Sequence, residues 1–392
     1  MNKEIVVLGD IEIGAGNITD DFISDNTLSK LILNLSKKKH AIDLILNGDT
    51  FDFMKCPYQL KPEEKFTRYI SKDISIAKLR LMHNAHTKVF DALKIFVKGK
   101  NKNLYFTIGN HDHDLVFTEL QHEIKRILKS ESKVHFPGIK YQNYGVNVEH
   151  GHQYDQVNKI PRKLFKKHKG KILLNYPFLT FTVMSILVDL KFEHPFSERI
   201  KPLDIFFTYN NQILRKINKI ASKYFVKSLF YYPIRYFYDP THRFPIGLTK
   251  EFIRRLSRGN WEVDKIHKKF KTNRKCNSQI YVFGHIHEKI IDRTPDYTII
   301  HPDCWRDEYL IRGGSKLVPK TKYYVSIKIN NDVVNSWDLV PVKIKRKNLN
   351  LNRVIRNEHK FIDLVAKEEG FKGNYNTALS SQANVNLSEN TS

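Results

Sequence analysis

Five short polar motifs, each placed directly after an apolar run rich in β-branched residues, constrain this chain more than any other feature. They are Asp10-Ile11-Glu12, Gly48-Asp49-Thr50-Phe51-Asp52, Gly109-Asn110-His111-Asp112, His150-Gly151-His152 and Gly284-His285-Ile286-His287. Runs such as Ile5-Val6-Val7-Leu8 and Ile280-Tyr281-Val282-Phe283 read as strands, so each motif is expected on the loop that leaves a strand. An α/β or sandwich scaffold places its chemistry on such loops. A lone Gly-Asp or Gly-His pair is ordinarily a turn. Five of them, all offering metal-type donors after five expected strands, read jointly as a ligand set.

The residue types suit two metals. A pair of divalent cations about 3.5–4 Å apart needs a bridging carboxylate, with imidazole and oxygen donors closing each side. Asp49 is the natural bridge. Asp10, Glu12 and one histidine of the last motif complete one metal; Asn110, His150 and the other histidine complete the second. Mixed imidazole, carboxylate and amide donors point away from calcium and to manganese first, with iron, zinc, magnesium or nickel as alternatives. Such a pair polarises a phosphoryl group, lowers the pKa of a bridging water and stabilises an in-line displacement. His111 is left over from the ligand count. It is the candidate to assist the leaving oxygen, with Asp112 or Asp52 fixing its tautomer, and these three are the candidate catalytic residues.

A chain with these motifs resembles the calcineurin-like metallophosphoesterase superfamily, whose pattern is Asp-x-His, Gly-Asp-x-x-Asp, Gly-Asn-His followed by Asp or Glu, a lone His, and Gly-His-x-His. The resemblance covers residues 1–155 and 278–340. It implies an α/β (α+β) fold, a two-sheet β-sandwich flanked by helices. The catalytic domain would be 1–155 plus 278–342, interrupted by a large, mainly helical cap at 156–277 and followed by a polar, largely disordered tail at 343–392. The resemblance also implies Asp10, Asp49 and His287 on the first metal, and Asp49, Asn110, His150 and His285 on the second. At a finer level, His150-Gly151-His152-Gln153-Tyr154-Asp155 and Asp303-Cys304-Trp305-Arg306 resemble the subgroup containing the UDP-2,3-diacylglucosamine pyrophosphohydrolase of lipid A synthesis, although Asp-Cys stands where relatives carry Thr-Gly-Ser or Thr-Gly-Thr. Glu12 departs from the pattern, which has histidine there. A carboxylate can bind a metal and favours manganese or magnesium over softer ions. The alternative is that Glu12 stands behind the ligands, with Asp20 and Asp21 holding the ion or its water.

With 392 residues, 41% hydrophobic, the chain can bury a large core. Cys56, Cys276 and Cys304 show no paired or metal-type spacing, which suits a reducing compartment. The run Ile5–Leu8 leads straight into Asp10, so it is not expected to be a cleavable leader, and cytoplasmic residence is the default. A net charge of +25 predicts attraction to a polyanion: a phosphorylated substrate, an anionic membrane on its inner face, or nucleic acid. The basic residues bunch at Lys159, Arg162, Lys163, Lys166, Lys167, Lys169 and Lys171, and again from Arg254 to Lys275. Arg162, Lys163, Lys166 and Lys167 are the candidate substrate-binding residues.

Between the two clusters, Ile172–Val188 carries no charge. It reads as helices buried in the cap, as a surface-lying membrane contact, or as a short membrane span, the last opposed by Asn175, Pro177 and Asp189. Phe225–Tyr238 mixes aromatics with Lys and Arg, a composition suited to a membrane interface or to stacking on single-stranded nucleic acid. Downstream, Tyr323–Ile329 and Val333-Val334 flank Asn330-Asn331-Asp332, a hairpin expected to close the second sheet. A short helix is expected around Phe361–Ala366, and disorder over 372–392. Oligomeric state is not readable. The functional expectation is a dinuclear phosphoesterase cleaving a phosphodiester or pyrophosphate bond in a lipid-linked or nucleotide-linked substrate at a membrane surface. The alternatives are a nuclease or cyclic-nucleotide phosphodiesterase, and a catalytically weak membrane or nucleic-acid binding protein in which Glu12 marks a decayed site.

Overall fold

The computed structural model describes residues 2–56, 58, 67–177, 180–202, 206–208, 211–242, 268–271 and 278–371. Its centre is a six-stranded sheet containing β1 (Lys3–Gly9), β2 (Ala41–Asn47), β3 (Lys102–Thr107), β4 (Val134–His135), β15 (Lys322–Asn330) and β16 (Val333–Val342), in the order β16-β15-β1-β2-β3-β4. The first three strands are parallel and in register at their carboxyl ends, Gly9 beside Asn47 and Asn47 beside Thr107. Both faces of this sheet are covered, which explains why its strands read as unbroken apolar runs. Val6, Leu8, Leu44, Leu46, Leu104 and Phe106 point to a helical layer of α1 (Asp25–Ser36), α2 (Lys72–Ala85), α3 (Thr87–Lys98) and α4 (Thr118–Leu128). Their alternates Ile5, Val7 and Ile45 point the other way.

That other face packs on a five-stranded sheet made of β5 (Lys140–Asn143), β6 (Val146–Glu149), β10 (Ile280–Val282), β11 (Lys289–Arg293) and β12 (Thr298–Pro302), ordered β11-β12-β10-β6-β5. Val146, Val148, Ile280, Val282 and Ile300 meet Ile5, Val7, Val325, Ile327 and Ile329 between the sheets, each buried side chain contributing about 1.5–3 kcal/mol. The arrangement is the mixed α/β sandwich expected. The β15–β16 hairpin turns at Asn331 and Asp332, both at positive φ, the backbone that a two-residue hairpin turn requires. It joins the central sheet beside β1, and not the second sheet as expected from sequence. Val325, Ile327 and Ile329 then supply the alternating apolar face that the inter-sheet core needs.

The interrupting segment mixes strand with helix. The hairpin β7 (Phe165–His168) and β8 (Lys171–Leu174) precedes α5 (Thr180–Glu193), β9 (Ile200–Lys201) and α6 (Asn211–Tyr236). The uncharged stretch is therefore not one helix. Ile172–Leu174 belong to a strand, Pro177 disfavours helix at Tyr176, and α5 begins only at Thr180. Phe181, Met184 and Val188 are buried, the first two in the main core. No helix among the described residues is long and apolar enough to cross a membrane.

A third, four-stranded sheet was not foreseen. It runs β17-β14-β13-β9, with β13 (Tyr309–Arg312), β14 (Lys316–Pro319) and β17 (Leu349–Asn350), so it ties the inserted segment to the C-terminal part of the chain. The tail expected to be polar and largely disordered from 343 is structured over 349–371. There α7 (Leu351–Arg356) and α8 (Glu358–Glu368) bury Leu351, Val354, Ile362, Val365 and Phe371 against Ile18, Ile23, Leu190 and Phe196. Residues 372–392 lie outside the described residues, as do Cys276 and most of the second basic cluster, while Cys56 and Cys304 are buried free thiols.

His86 locks this C-terminal packing to the N-terminal loop. Its ring stacks on Phe371 at 4.8 Å, while Nε2 lies 2.8 Å from Asp20 and Nδ1 3.0 Å from Asp25. Burial opposes charge on the imidazole, and the two carboxylates outweigh it, lifting His86 from 6.5 to about 10. A pKa raised on folding contributes stability that is complete below pH 6.5 and lost as pH rises through about 10. The stability advantage of the native chain over His86→Phe, followed by urea denaturation, is expected to shrink across that window. A pH-independent difference would assign His86 to packing alone.

Candidate metal centre

The strand geometry delivers the five motifs to one place. Parallel β1, β2 and β3 end side by side in Asp10, Gly48-Asp49 and Gly109-Asn110, and the parallel pair β6 and β10 of the other sheet ends in His150 and Gly284-His285. Carboxyl ends of parallel strands are where open sheets place ligands. Backbone bonds stitch the loops together: Gly284 N–H donates to His150 O at 3.0 Å, Trp305 N–H to Asp10 O at 2.9 Å, and Glu12 N–H to Asp49 O at 2.8 Å. Glycine is required where the loops touch. A Cβ on Gly109 would lie 2.0 Å from Asp49 Oδ1, and one on Gly284 would lie 2.5 Å from Asp10 Oδ2.

Backbone strain gathers at the same spot. Asp10, Glu12, Asp49, His285, His287 and Asp303 all hold positive φ, between 48° and 75°. Side chains with a Cβ avoid this region, and its concentration at converging carboxylates and imidazoles is what a functional site imposes.

Donor atoms from the five motifs lie close together. His150 Nε2 lies 3.1 Å from Asp49 Oδ2 and 3.2 Å from Asn110 Oδ1. His287 Nε2 is 3.2 Å from Asp10 Oδ1 and 3.4 Å from Glu12 Oε1. The His285 ring centroid stands 5.3 Å from that of His150, and its Nε2 is 3.2 Å from Asp155. In each of the groups Asp10/Asp49/His150, Glu12/Asp52/His111 and His287/Cys304/Glu308, one donor atom per residue lies within 4.8 Å of the others. Asp10 Oδ2 is buried with no hydrogen-bond partner among the described residues. Clustered carboxylates with an orphaned oxygen fit a cation, which would supply the missing partner.

The charges say the same. Burial would raise the Asp49 carboxyl, but His150 and His111 hold it well below the usual range. Burial works against charge on His150, and Asp49 and Asp10 outweigh it, lifting the imidazole to about 9. A metal bound by His150 would have to displace the proton that these carboxylates favour.

His111 donates its backbone N–H to Asp49 Oδ1 at 2.8 Å, and its ring Nδ1 lies 3.0 Å from Asp52 Oδ1. Of the two carboxylates considered for orienting it, the structure brings Asp52. Asp112 does not meet the ring. It accepts the backbone N–H of Gly109 at 2.6 Å and of Thr50 at 2.8 Å, tying two motif loops, and burial with the nearby Asp49 pushes its carboxyl up to about 7.

Glu12 is contested between the site and a buried ionic cluster. Lys55 Nζ lies 3.0 Å from one of its oxygens and Arg306 3.2 Å from the other. Asp20 and Asp21 are both engaged elsewhere, and neither is left to hold an ion. Asp20 accepts the backbone N–H groups of Gly14, Gly16 and Phe22, and Asp21 pairs with Lys55, Lys191, Arg199 and Arg306. The inserted segment supplies Lys191, Glu198 and Arg199 to this cluster, whose cations the sequence reading missed. Only Arg306, inside the Asp303–Arg306 motif, carried a signal.

Of the candidate substrate-binding residues, Arg162, Lys163 and Lys167 are exposed, and Lys166 Nζ donates to the carbonyl of Pro240 at 2.8 Å. None is brought into the donor cluster by a described contact.

The sequence pattern of calcineurin-like phosphoesterases matches residues 3–289. Many solved structures align with the chain, two of them as follows. One is a predicted phosphoesterase from Streptococcus pneumoniae, 10% identical over 89% of this chain and 98% of that one, with a TM-score of 0.27. The other is described as a novel archaeal phosphodiesterase, 9% identical over 86% of this chain and 99% of that one, with a TM-score of 0.30. No curated protein matches.

Proposed function

The chain belongs to the calcineurin-like phosphoesterase family and is a metal-dependent hydrolase of phosphoric esters, and from that premise we propose that it cleaves a phosphodiester or pyrophosphate bond in a lipid-linked or nucleotide-linked substrate. The observation that carries this reading is the convergence of Asp10, Asp49, Asn110, His150, His285 and His287 from five strand ends around a buried, orphaned carboxylate oxygen. Those residues would hold two divalent ions, manganese first, with Glu12 at the edge of the set. The chemistry such ions would supply is polarisation of the phosphoryl group and acidification of a water.

The chain's own residues do the rest. Asp49 is fixed by the His111 N–H on one oxygen and faces His150 with the other. Asp52 holds His111 by Nδ1, which leaves Nε2 to deliver a proton to the departing oxygen. Lys55 pairs with Asp52 at 3.0 Å and so steadies that carboxylate. The high positive charge draws an anionic substrate, and Arg162, Lys163 and Lys167 are exposed to meet it. Cytoplasmic residence at the inner membrane face suits a lipid-linked substrate, and the buried free thiols are consistent with a reducing compartment.

With manganese present, the chain is expected to hydrolyse bis-p-nitrophenyl phosphate in preference to p-nitrophenyl phosphate. His111→Ala is expected to lower kcat by about 10²–10⁴ with metal content unchanged, the usual range for loss of a positioned acid. A preference for the monoester would reject the diester or pyrophosphate assignment; full activity in His111→Ala would remove that residue from the reaction.

A further inference from the structure

Among the described residues, helix α6 has an outward face that combines cations with large exposed apolar side chains. Over 26 residues it has no Asp or Glu, and it carries Arg215, Lys216, Lys219, Lys223, Lys227 and Arg235. Its second half exposes large apolar side chains: Phe230 is 72% exposed, Ile234 64% and Val226 54%, followed just beyond the helix by Phe237 at 85% and Tyr238 at 74%. Residues 226, 230, 234 and 237 follow helical spacing and form one stripe, with Lys219 and Lys223 continuing the same side toward the helix start. The opposite side is anchored. Ser228 and Tyr232 are buried, the Tyr232 ring lies 5.4 Å from the Arg68 guanidinium, and its centroid is 5.0 Å from that of His242.

We propose that this stripe is a docking surface for an anionic lipid bilayer. Exposed Phe, Ile and Val in series with lysines, and no acidic residue among them, match what an interface-lying helix offers: apolar side chains for the acyl boundary and cations for the headgroups. Tyr231, Tyr236 and Tyr238, also exposed, suit the headgroup level, where a ring is apolar on its body and wet at its tip. Charge decides between occupants. A second copy would set these cations against a chain of net charge +25. Single-stranded nucleic acid would use the rings and lysines but leave Val226 and Ile234 in water. The helix lies on the surface, since no described helix is long and apolar enough to span a bilayer. The inference rests on the lipid side of the reading above and is independent of its metal chemistry.

The test is co-sedimentation of the full chain with vesicles of phosphatidylcholine alone and of phosphatidylcholine mixed with phosphatidylglycerol. The native chain is expected to bind the mixed vesicles and to bind the neutral ones about tenfold less. The triple variant Phe230→Ser/Ile234→Ser/Phe237→Ser is expected to weaken binding to mixed vesicles by about tenfold or more, as is Lys219→Glu/Lys223→Glu. Both should keep the thermal midpoint and the metal-dependent hydrolysis of bis-p-nitrophenyl phosphate, so failure of the surface and failure of the chemistry read out separately. Absence of vesicle binding by the native chain, or equal binding by the triple variant, overturns the proposal. So does light scattering that shows a dimer dissociated by the triple variant, or retention of single-stranded DNA, lost in that variant, without vesicle binding.

Discussion

Asp49→Ala is expected to strip the chain of bound metal and to lower hydrolysis of an activated phosphodiester by about 10³-fold or more, since several kcal/mol of charge stabilisation goes with the ions. One Asp49 oxygen receives the His111 N–H at 2.8 Å and the other lies 3.1 Å from His150 Nε2, so the carboxylate sits between the acid candidate and the ligands. Losing it also removes the main charge that lifts His150 to about 9, and the imidazole should titrate lower in the variant. Metal content and kcat measured on the same preparation check this. Retention of both ions with near-native turnover would remove Asp49 from the centre.

Lys55→Met is expected to cost about 3–5 kcal/mol of stability, the range for breaking a buried ion pair from one side. Lys55 Nζ lies 2.8 Å from Asp21 and 3.0 Å from Glu12, with Asp52 at the same distance as Glu12, and its side chain is 2% exposed. Burial opposes its charge, and Asp21, Asp52 and Glu12 outweigh that and push the amine well above its ordinary value. Without it, Asp21 keeps Lys191, Arg199 and Arg306, and Glu12 keeps Arg306, whereas Asp52 has only His111 among its described ionic contacts. Urea denaturation gives the magnitude. Adding Asp52→Asn should return part of the loss, because neutralising the stranded carboxylate removes the unpaired buried charge. A loss under about 1 kcal/mol would show that water reaches the cluster and screens it.

The two effects separate what the sequence exposed from what it hid. The strands and their motif loops were legible because a sheet covered on both faces needs unbroken apolar runs, and Ile5–Leu8 and Ile280–Phe283 have them. That the five motif loops meet was legible for a related reason: they leave parallel strands at the same carboxyl ends. Which carboxylate orients His111 was not, since Asp52 and Asp112 are equally polar on paper and only the fold turns Asp112 toward the N–H groups of Gly109 and Thr50. The ionic cluster was hidden because its members are far apart in the chain. Nothing local in Lys55, Lys191, Arg199 or Arg306 marks it as buried, and charged residues are expected outside. The third sheet depends on a two-residue strand at Ile200–Lys201, too short to leave a period. The helix at Glu358–Glu368 was legible around Phe361–Ala366, whereas the one at Leu351–Arg356 was obscured by the basic run before it, although Leu351 and Val354 stand at helical spacing.

Glu12 lies between the buried ionic cluster and the donor histidines. Its oxygens are claimed by Lys55 and Arg306, so its charge is already balanced before an ion arrives. A histidine there would leave both cations facing the site. Lys55 and Arg306, which also reach Glu198 of the inserted segment, thus link the glutamate to that segment, while its Oε1 stands 3.4 Å from His287.

Calorimetric titration of manganese into the chelator-treated chain tests the central claim most directly. Two ions per chain are expected, with proton release that grows as pH falls from about 9, because the ion must displace the proton His150 carries. Asp49→Ala should abolish binding. No saturable binding by the native chain, or a stoichiometry that Asp49→Ala leaves unchanged, would contradict a dinuclear centre at these five strand ends.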